Sequence, residues 1–398
     1  MNQNEFIEIV IPYELEEISK KQILYSSAFI VPGIIDVISE EGYIKFILDK
    51  PVDKKILVNG LKKLSDRFSI MNEFKSDVIF ELPFTGSGNG HKEIQHLINS
   101  KKIQQVYQGL FVWREPLSKL LEFLDFIVVK RFARPFNANF EKHPNVISVK
   151  SLAKTNHLTS FPEHLHFITH LETNLNNIDQ CSEKFKNDGI DETLKNINTS
   201  PPEIVHNPST CYNCFASLKN NKIDNNIAIT AKSSCHRYES SNHIQLGRLL
   251  EFDLREVIFI GSPEYVRDTR EKTLLLLEEF AKDWELGGKL QSENDPFFTS
   301  DFKIKAKHQR EMKMKYEFRT YTNKNKDNMS IMSSNLHGLT FSKAFNIKSD
   351  NGPIHTGCLG FGIERFAISF IAQHSLDINN WPSKVRSDWI EWISANDK

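Results

Sequence analysis

Two of the five cysteines lie three residues apart, in Cys211-Tyr-Asn-Cys214, and this spacing could bind a metal ion. It is only half of a zinc knuckle, because no second CxxC or HxxxH pair follows and Cys235-His236 is the one nearby supplement. The same spacing is also typical of two buried thiols. Five cysteines in 398 residues form no disulfide framework, and an odd number suits a reducing cytosol. Metal binding and core packing both remain open.

A charged surface is predicted where two strands, at 235–239 and 252–256, flank a loop. Side chains two residues apart on a strand share a face. If the strands pair with those faces aligned, one surface gathers a guanidinium, two carboxylates and an aromatic ring. A salt-bridged sheet surface is the ordinary interpretation of such charges. The side chains are Arg237, Glu239, Glu256 and Phe252.

Glycines and a lone glutamate mark further candidate positions. Gly357-Cys-Leu-Gly-Phe-Gly-Ile-Glu-Arg365 is predicted to be a glycine-rich turn that begins a helix, where the backbone can approach another group closely. The pattern predicts tight helix packing as readily as nucleotide binding, since no Rossmann strand order accompanies it. Glu317 lies on a predicted strand and is non-specific alone. The segment 85–91 lacks the Gly-Lys-Ser/Thr ending of a phosphate loop and is interpreted as a linker.

The elements that must position these residues predict two domains. In residues 1–105 a strand at 6–12, a helix at 14–27, a hairpin at 34–48 and a helix at 53–68 follow one another. This order predicts a small α+β domain, and the pattern assigns it no role.

Residues 106–398 predict a larger α+β domain. Long helices are expected at 116–130 and 263–284, and short strands from 228 onward are grouped mostly without intervening helices. This grouping favours an antiparallel sheet over a doubly wound parallel one. The polar stretch at 172–205, rich in Asn and Lys, is interpreted as a surface insertion.

Composition restricts the class of partner. Fifty Lys and Arg against 51 Asp and Glu give a formal charge of -1, so any nucleic-acid binding would have to be local. The N-terminal residues lack the basic and apolar regions of a signal peptide, and no apolar run approaches ~18 residues. We therefore expect a cytoplasmic protein without a membrane partner.

The candidate features become specific in their order along the chain. Arg-x-Glu on a strand-loop-strand, a later strand glutamate and Gly-x-Gly-x-x-Arg at a helix start resemble motifs two and three of the class II aminoacyl-tRNA synthetases. The chain is more closely similar to the amino acid:[carrier protein] ligases, which are truncated relatives of the zinc-dependent, atypical seryl-tRNA synthetases. This resemblance runs from about Gly109 to the C-terminus. It rests on Thr210-Cys-Tyr212, His236-Arg-Tyr-Glu239, Phe252-Asp-Leu-Arg-Glu-Val257, Asp295-Pro-Phe-Phe298, Ser333-Ser-Asn-Leu-His337, His355-Thr-Gly-Cys-Leu-Gly-Phe-Gly-Ile-Glu-Arg365 and Trp381-Pro-Ser-Lys-Val-Arg386.

The resemblance implies a substrate-binding zinc ion with one position open for the amino group of an amino acid. Its ligands would be Cys211, Glu256 and Cys358, with Asn335 on the substrate side. Cys214 and Cys235 then become core thiols.

The resemblance also implies an ATP site with magnesium. Attack of a carboxylate on a phosphate needs charge neutralisation more than a base, so two arginines and a magnesium-binding carboxylate would be the catalytic set. The implied residues are Arg237 on the α-phosphate, Glu239, Arg248 and Leu249 on the nucleotide, Phe252 under adenine, Glu317 on magnesium and Arg365 on the γ-phosphate.

Departures from the family pattern occur in three segments and concern nucleotide affinity and amino-acid preference. His236-Arg-Tyr-Glu-Ser240 replaces Phe-Arg-His-Glu-Pro, Asp253 replaces a usual arginine, and Ser375 replaces a glycine. The zinc set matches the pattern at every position.

The activity implied is ATP-dependent formation of an aminoacyl-AMP from a small amino acid, glycine or alanine, and transfer to the phosphopantetheine thiol of an acidic carrier protein. One alternative is a seryl-tRNA synthetase, although the charge of -1 supplies no obvious tRNA surface. The other is a catalytically silent paralogue that acts as a binding subunit.

A helix at 152–159, closed by Phe161-Pro162, would be motif one at a homodimer interface. The basic stretch at 303–315 is either a solvated helix face or a carrier-docking platform.

Overall fold

The computed structural model of the chain describes residues 5–10, 17–40, 43–68, 76–86, 90–244, 246–293 and 312–396. The motif at 295–298, most of the basic stretch and the centre of the 85–91 linker lie outside these residues. Among the described residues, no helix combines the length and apolar character that a bilayer crossing requires.

Strands occur along the whole chain. They are β1 (Glu5–Val10), β2 (Ile34–Glu40), β3 (Tyr43–Leu48), β4 (Val78–Leu82), β5 (Ile103–Tyr107), β6 (Leu110–Trp113), β7 (Asn139–Lys142), β8 (Val146–Ser148), β9 (Phe167–Ile168), β10 (Ile204–His206), β11 (Ile227–His236), β12 (Glu251–Gly261), β13 (Gly288–Ser292), β14 (Lys315–Tyr321), β15 (Asn328–Gly338) and β16 (His355–Gly362).

Helices lie between and after these strands. They are α1 (Glu17–Ser27), α2 (Lys54–Phe68), α3 (Gly90–Asn99), α4 (Leu117–Val128), α5 (Val149–Ala153), α6 (His157–Ser160), α7 (Leu175–Asn187), α8 (Ile190–Asn196), α9 (Cys211–Ser217), α10 (Pro263–Asp283), α11 (Thr340–Ala344), α12 (Ile363–His374) and α13 (Ser383–Asn396).

The central sheet has the strand order β4-β13-β14-β15-β16-β12-β11-β7. Its neighbours pair antiparallel except at the edge, where β7 runs parallel to β11. Helices α4, α10, α12 and α13 pack on one face through a large apolar core that includes Phe132, Phe280 and Phe366. The predicted α+β class with an antiparallel sheet is confirmed.

The N-terminal residues form a small layer of their own. Strands β1, β3 and β2 make a three-stranded sheet. Helix α2 packs on it around Phe46, Leu57 and Phe68. The strand-helix-hairpin-helix order is the one that the hydrophobic pattern predicts. Strand β4 follows this unit and pairs with β13 of the central sheet.

Two local predictions are wrong. The glycine-rich segment at 357–362 is not a turn but part of the central strand β16, and helix α12 begins only at Ile363. The single helix predicted at 152–159 is two short helices, α5 and α6. The break falls at Asn156, whose φ of 62° is left-handed and cannot continue a right-handed helix.

A buried ion pair joins the sheet to helix α4. Arg255 of β12 donates from Nε and Nη2 to the two carboxylate oxygens of Asp125, both at 2.7 Å. The Arg255 side chain is 10% exposed and that of Asp125 15%. This two-point geometry fixes the distance and orientation of α4 against the sheet.

We expect Asp125→Ala to lower the free energy of unfolding by about 3 kcal/mol, because it leaves the Arg255 guanidinium buried without its main counter-charge. The matched control is Glu192→Ala, which breaks an exposed pair with Lys195 and should change stability by less than about 0.5 kcal/mol. Urea titration of both variants measures the effect. Equal losses in the two variants would contradict the role given to the Asp125 pair.

Candidate active site

One row of residues crosses the middle of the central sheet. In the strand register, Glu256 of β12 faces Gly360 of β16, Gly360 faces Ser333 of β15, and Ser333 faces Glu317 of β14. Residues that face each other across neighbouring strands project from the same side of a sheet. The row therefore places the predicted metal ligand and the predicted magnesium ligand on one face.

Gly360 keeps the middle of this row open. A Cβ atom at Gly360 would lie 3.4 Å from Glu256 Cγ and 3.8 Å from Ser333 Oγ. Any side chain larger than alanine would thus fill the space between the two carboxylates. Glycine weakens a central strand, and here it leaves room for a ligand above the sheet.

The three predicted metal ligands come together at one end of the row. Cys211 begins helix α9, Glu256 lies on β12 and Cys358 on β16, and their ligand atoms all lie within 4.8 Å of one another. Each side chain is at most 5% exposed. Ser209 Oγ donates to Glu256 Oε1 at 2.9 Å, while Glu256 Oε2 is buried without a hydrogen-bond partner among the described residues.

The electrostatics of the cluster fit a soft divalent cation. Burial, followed by the neighbouring Cys358, raises the pKa of Glu256 to about 8. A hydrogen bond from Cys211 lowers the pKa of the Cys358 thiol well below its usual range, and His337 and Asn335 lower it further. Two thiolates and a carboxylate are ligands that zinc accepts in a tetrahedral site, and three leave a fourth position open.

Two more side chains flank the Cys358 sulfur. Asn335 Nδ2 lies 3.7 Å from Cys358 Sγ and 3.2 Å from Ser333 Oγ. His337 Nε2 lies 3.6 Å from the same sulfur. Asn335 is thus beside the metal-ligand cluster, as predicted. His337 was given no role from the sequence, although it ends the motif at 333–337.

The other two cysteines near this region are buried elsewhere. Cys214 belongs to a different group of possible ligands, since its sulfur lies within 4.8 Å of ligand atoms of Glu141 and His143. Both ring nitrogens of His143 already make hydrogen bonds, to Thr210 O and to Glu141. Cys235 lies beneath Thr210 and is fully buried.

Three guanidinium groups converge at the other predicted site, in the segment 237–250 and at the start of α12. Arg248 Nη1 donates to Glu239 at 2.6 Å, and Arg365 Nε donates to Gly247 O at 2.6 Å. Burial alone would raise the pKa of Glu239, but Arg248 and Arg365 lower it to about 2. The carboxylate is therefore ionised at neutral pH and holds Arg248 in place.

Arg237 is the third of these groups. Its Nε and Nη2 atoms donate to Pro208 O at 3.1 and 3.0 Å, and its guanidinium lies 5.3 Å from the centre of the Phe252 ring. Strand β11 ends at His236, so the prediction that strand alternation aligns Arg237 with Glu239 is wrong. The loop after the strand places them instead. Leu249, which follows Arg248 in the chain, is buried.

Glu317 lies among charges that sequence reasoning missed. It bonds to Lys315 at 2.9 Å and to Arg319 at 2.8 Å. Burial would raise the pKa of Glu317, but these two cations lower it to about 2. Burial and Glu317 raise the pKa of the neighbouring Glu293. Two carboxylates in one buried site suit a hard cation such as magnesium, which takes oxygen ligands. Glu293 could have been found from the sequence only by knowing the register of β13 and β14, which brings it near Glu317.

No protein-family profile matches the chain. Amino acid–[acyl-carrier-protein] ligase 1 of Bradyrhizobium diazoefficiens is 31% identical over 248 residues, covering 62% of this chain and 74% of the relative. A type-2 serine–tRNA ligase of Methanococcus aeolicus is 26% identical over 292 residues, covering 70% of this chain and 55% of that enzyme. The crystal structure of M. kandleri SerRS with A. aeolicus tRNASec superposes with a TM-score of 0.68 at 19% identity, covering 98% of this chain and 78% of the other.

The fold and the site define a class II synthetase-like enzyme. Within that class, the chain belongs to the amino acid–[acyl-carrier-protein] ligase family and is a ligase. The resemblance drawn from the motifs is confirmed. The superposition on M. kandleri SerRS extends over the N-terminal residues, so these residues have a counterpart in that fold.

We propose that the cluster of Cys211, Glu256 and Cys358 binds one zinc ion per chain. Cys358→Ala is expected to remove most of the zinc, since it deletes a thiolate ligand. Cys214→Ala, which deletes a thiol of the same helical turn outside the cluster, is expected to keep it. Metal analysis of the purified proteins measures this. Full zinc in Cys358→Ala, or loss in Cys214→Ala, would contradict the ligand set.

Proposed function

We propose that the protein activates a small amino acid with ATP and transfers the aminoacyl group to the phosphopantetheine thiol of a carrier protein. The observation that supports this most is the placement of the metal-ligand cluster and the three arginines at one face of the sheet, with Gly360 between the two carboxylates of the row. A zinc ion held by the cluster would bind an amino group, and the converging guanidiniums suit a triphosphate.

The zinc ion would supply an open coordination position for the amino group of the substrate. A substrate without a free amine would lose that anchor. Asn335, beside the cluster, would have its amide on the substrate side, and Gly360 leaves room for the substrate above the sheet at this point. The resemblance to the ligase family suggests glycine or alanine as that substrate.

The arginines would carry the first chemical step. A carboxylate oxygen of the amino acid bonds to the α-phosphorus, the bond from that phosphorus to the bridging oxygen breaks, and pyrophosphate leaves with the electron pair. Arg237 and Arg365 would neutralise the charge that develops on the phosphates. Glu317 and Glu293 would be the residues that hold magnesium. The attacking carboxylate is already ionised, so the step needs no general base.

The second step would form a thioester. The carrier thiol attacks the acyl carbon, a carbon–sulfur bond forms as the carbon–oxygen bond to AMP breaks, and the thiol proton passes to water. A thiol with a pKa near ~8.5 is a few per cent ionised at neutral pH. A dedicated base is therefore not required for this acceptor.

Transfer to tRNA is the second candidate activity, and the superposition of 98% of the chain on a tRNA synthetase favours testing it. The formal charge of -1 offers no long positive track for tRNA. The basic stretch proposed as a carrier platform lies mostly outside the described residues. Its described Lys313 pairs with Asp77 at 3.3 Å.

An assay decides between transfer to a carrier protein and transfer to tRNA. The protein is incubated with ATP, labelled glycine or alanine, and each acceptor in turn. We expect label on holo-carrier and none on apo-carrier or tRNA. Label on tRNA with none on holo-carrier would favour the synthetase.

Pyrophosphate exchange driven by single amino acids tests whether the protein is a silent paralogue. Arg237→Ala is expected to lower exchange by roughly 10²-fold or more, whereas Arg267→Ala, on the exposed face of α10, should not.

A homodimer is the last part of the proposal. The helix predicted to form its interface is divided into the short helices α5 and α6. Elsewhere, the edge strand β7 exposes 66% of Phe140, and the hairpin of β5 and β6 exposes 61% of Val106 and 66% of Tyr107. An uncovered sheet edge can pair with another chain, and exposed apolar patches are typical of protein interfaces.

Light scattering is expected to give about twice the chain mass of 46.0 kDa at micromolar concentration. Phe140→Asp should shift the protein toward the monomer, because it places a charge in an apolar contact. Leu275→Asp, on an exposed position of α10, is the control and should not. A monomeric wild-type protein would contradict the dimer.

A further inference from the structure

The C-terminal end of helix α1, with Ala28 directly after it, packs against the loop that carries Arg237 and Arg248. This loop, residues 237–250, connects β11 to β12 and is called the motif-two loop below. Ser240 Oγ donates to Ala28 O at 2.9 Å, and Asn242 Nδ2 donates to Tyr25 O at 3.1 Å. Polar side chains of the motif-two loop are therefore bonded to backbone carbonyl groups of the small N-terminal layer.

Ser240 shows why the loop needs this support. Its φ is 52°, a left-handed conformation that non-glycine residues rarely adopt. A residue keeps such a conformation only when its surroundings fix it. The hydrogen bond to Ala28 O is one such constraint, and it comes from the other layer.

Tyr25 makes the most direct contact. Its ring centre lies 4.8 Å from the guanidinium carbon of Arg248, within the range of a cation–π interaction. Its hydroxyl lies 3.3 Å from His164 Nε2, and the side chain is 9% exposed. The ring is therefore fixed by its backbone at one end and by its hydroxyl at the other.

Arg248 is held between two groups from different parts of the chain. The Tyr25 ring lies against its face, and Glu239 accepts from its Nη1 at 2.6 Å. A planar guanidinium fixed on a face and an edge has few other orientations. By contrast, none of these contacts involves the cluster of Cys211, Glu256 and Cys358.

We propose that Tyr25 is a positioning residue of the nucleotide site and that the N-terminal layer thereby sets the affinity for ATP. The inference rests on the proposed function, since it takes Arg248 as a nucleotide ligand. It gives the N-terminal residues a role inside the ligase reaction, in addition to any contact with an acceptor. Loss of the ring would free Arg248 and weaken ATP binding while leaving amino-acid binding unchanged.

The test measures binding of a non-hydrolysable ATP analogue to the full-length protein by calorimetry. Tyr25→Leu is expected to raise the dissociation constant roughly tenfold, while Tyr25→Phe, which keeps the ring, should stay within about threefold. Phe6→Leu is the matched control, because it removes a ring that lies 4.2 Å from Lys45 in the same layer and is 59% exposed. It should leave the affinity unchanged.

A second variant covers the case in which Tyr25→Leu does not fold. Ser240→Ala combined with Asn242→Ala removes the two tethers without touching the N-terminal core, and it should weaken the analogue by about threefold to tenfold. The KM for the amino acid in pyrophosphate exchange should stay within about twofold in every folded variant.

The outcomes separate the two proposals. Unchanged analogue affinity in folded Tyr25→Leu, or in the tether variant, overturns the inference alone. An equal loss in Phe6→Leu, or an equal rise in the amino-acid KM, also overturns it. No binding by the wild-type protein overturns the inference together with the proposed use of ATP.

Discussion

The register of the strands β12, β16, β15 and β14 decides which side chains meet above the sheet. Because side chains alternate between the two faces, a shift of one residue in β16 would turn Cys358 and Gly360 toward the helices. The metal-ligand cluster would then lose a thiolate, and the space between Glu256 and Glu317 would close. The bond from Arg365 to Gly247 O depends on the same alignment, because helix α12 follows directly from β16.

Two adjacent residues of β12 point to opposite faces of the sheet, one toward the helices and one toward the site. Arg255 points to the helical face and forms a two-point ion pair with Asp125. Glu256 points to the other face and keeps one buried oxygen without a hydrogen-bond partner in the described part of the chain. Burying a charge is costly unless it is paired. The paired residue therefore stabilises the fold, whereas the unpaired one is suited to receiving a ligand.

Sequence analysis predicted the fold class and the residues of the metal-ligand cluster, because the motifs at 210–212, 252–257 and 355–365 occur in the order of a known family. The glycines of β16 were predicted to form a turn, because glycine is rare in strands and a hydrophobic pattern does not show where a strand must leave room for a ligand. One helix was predicted across Asn156, because a left-handed backbone conformation leaves no trace in the spacing of apolar residues. Glu293 and Tyr25 were missed because their roles depend on partners that only the tertiary structure brings close. The domain boundary at 105 and the assigned roles stay predictions.

The edge strands of the central sheet have a consequence for the synthesis of the chain on the ribosome. Strand β4 ends at Leu82, but its partner β13 begins only at Gly288, about 200 residues later. At ~5–20 residues per second, β4 waits roughly 10 to 40 s for a neighbour after it emerges. Its Val78 and Ile79 stay half exposed even in the finished fold. The nascent chain thus carries an unpaired, apolar segment for about half of its synthesis, until the strand that pairs with it has been made.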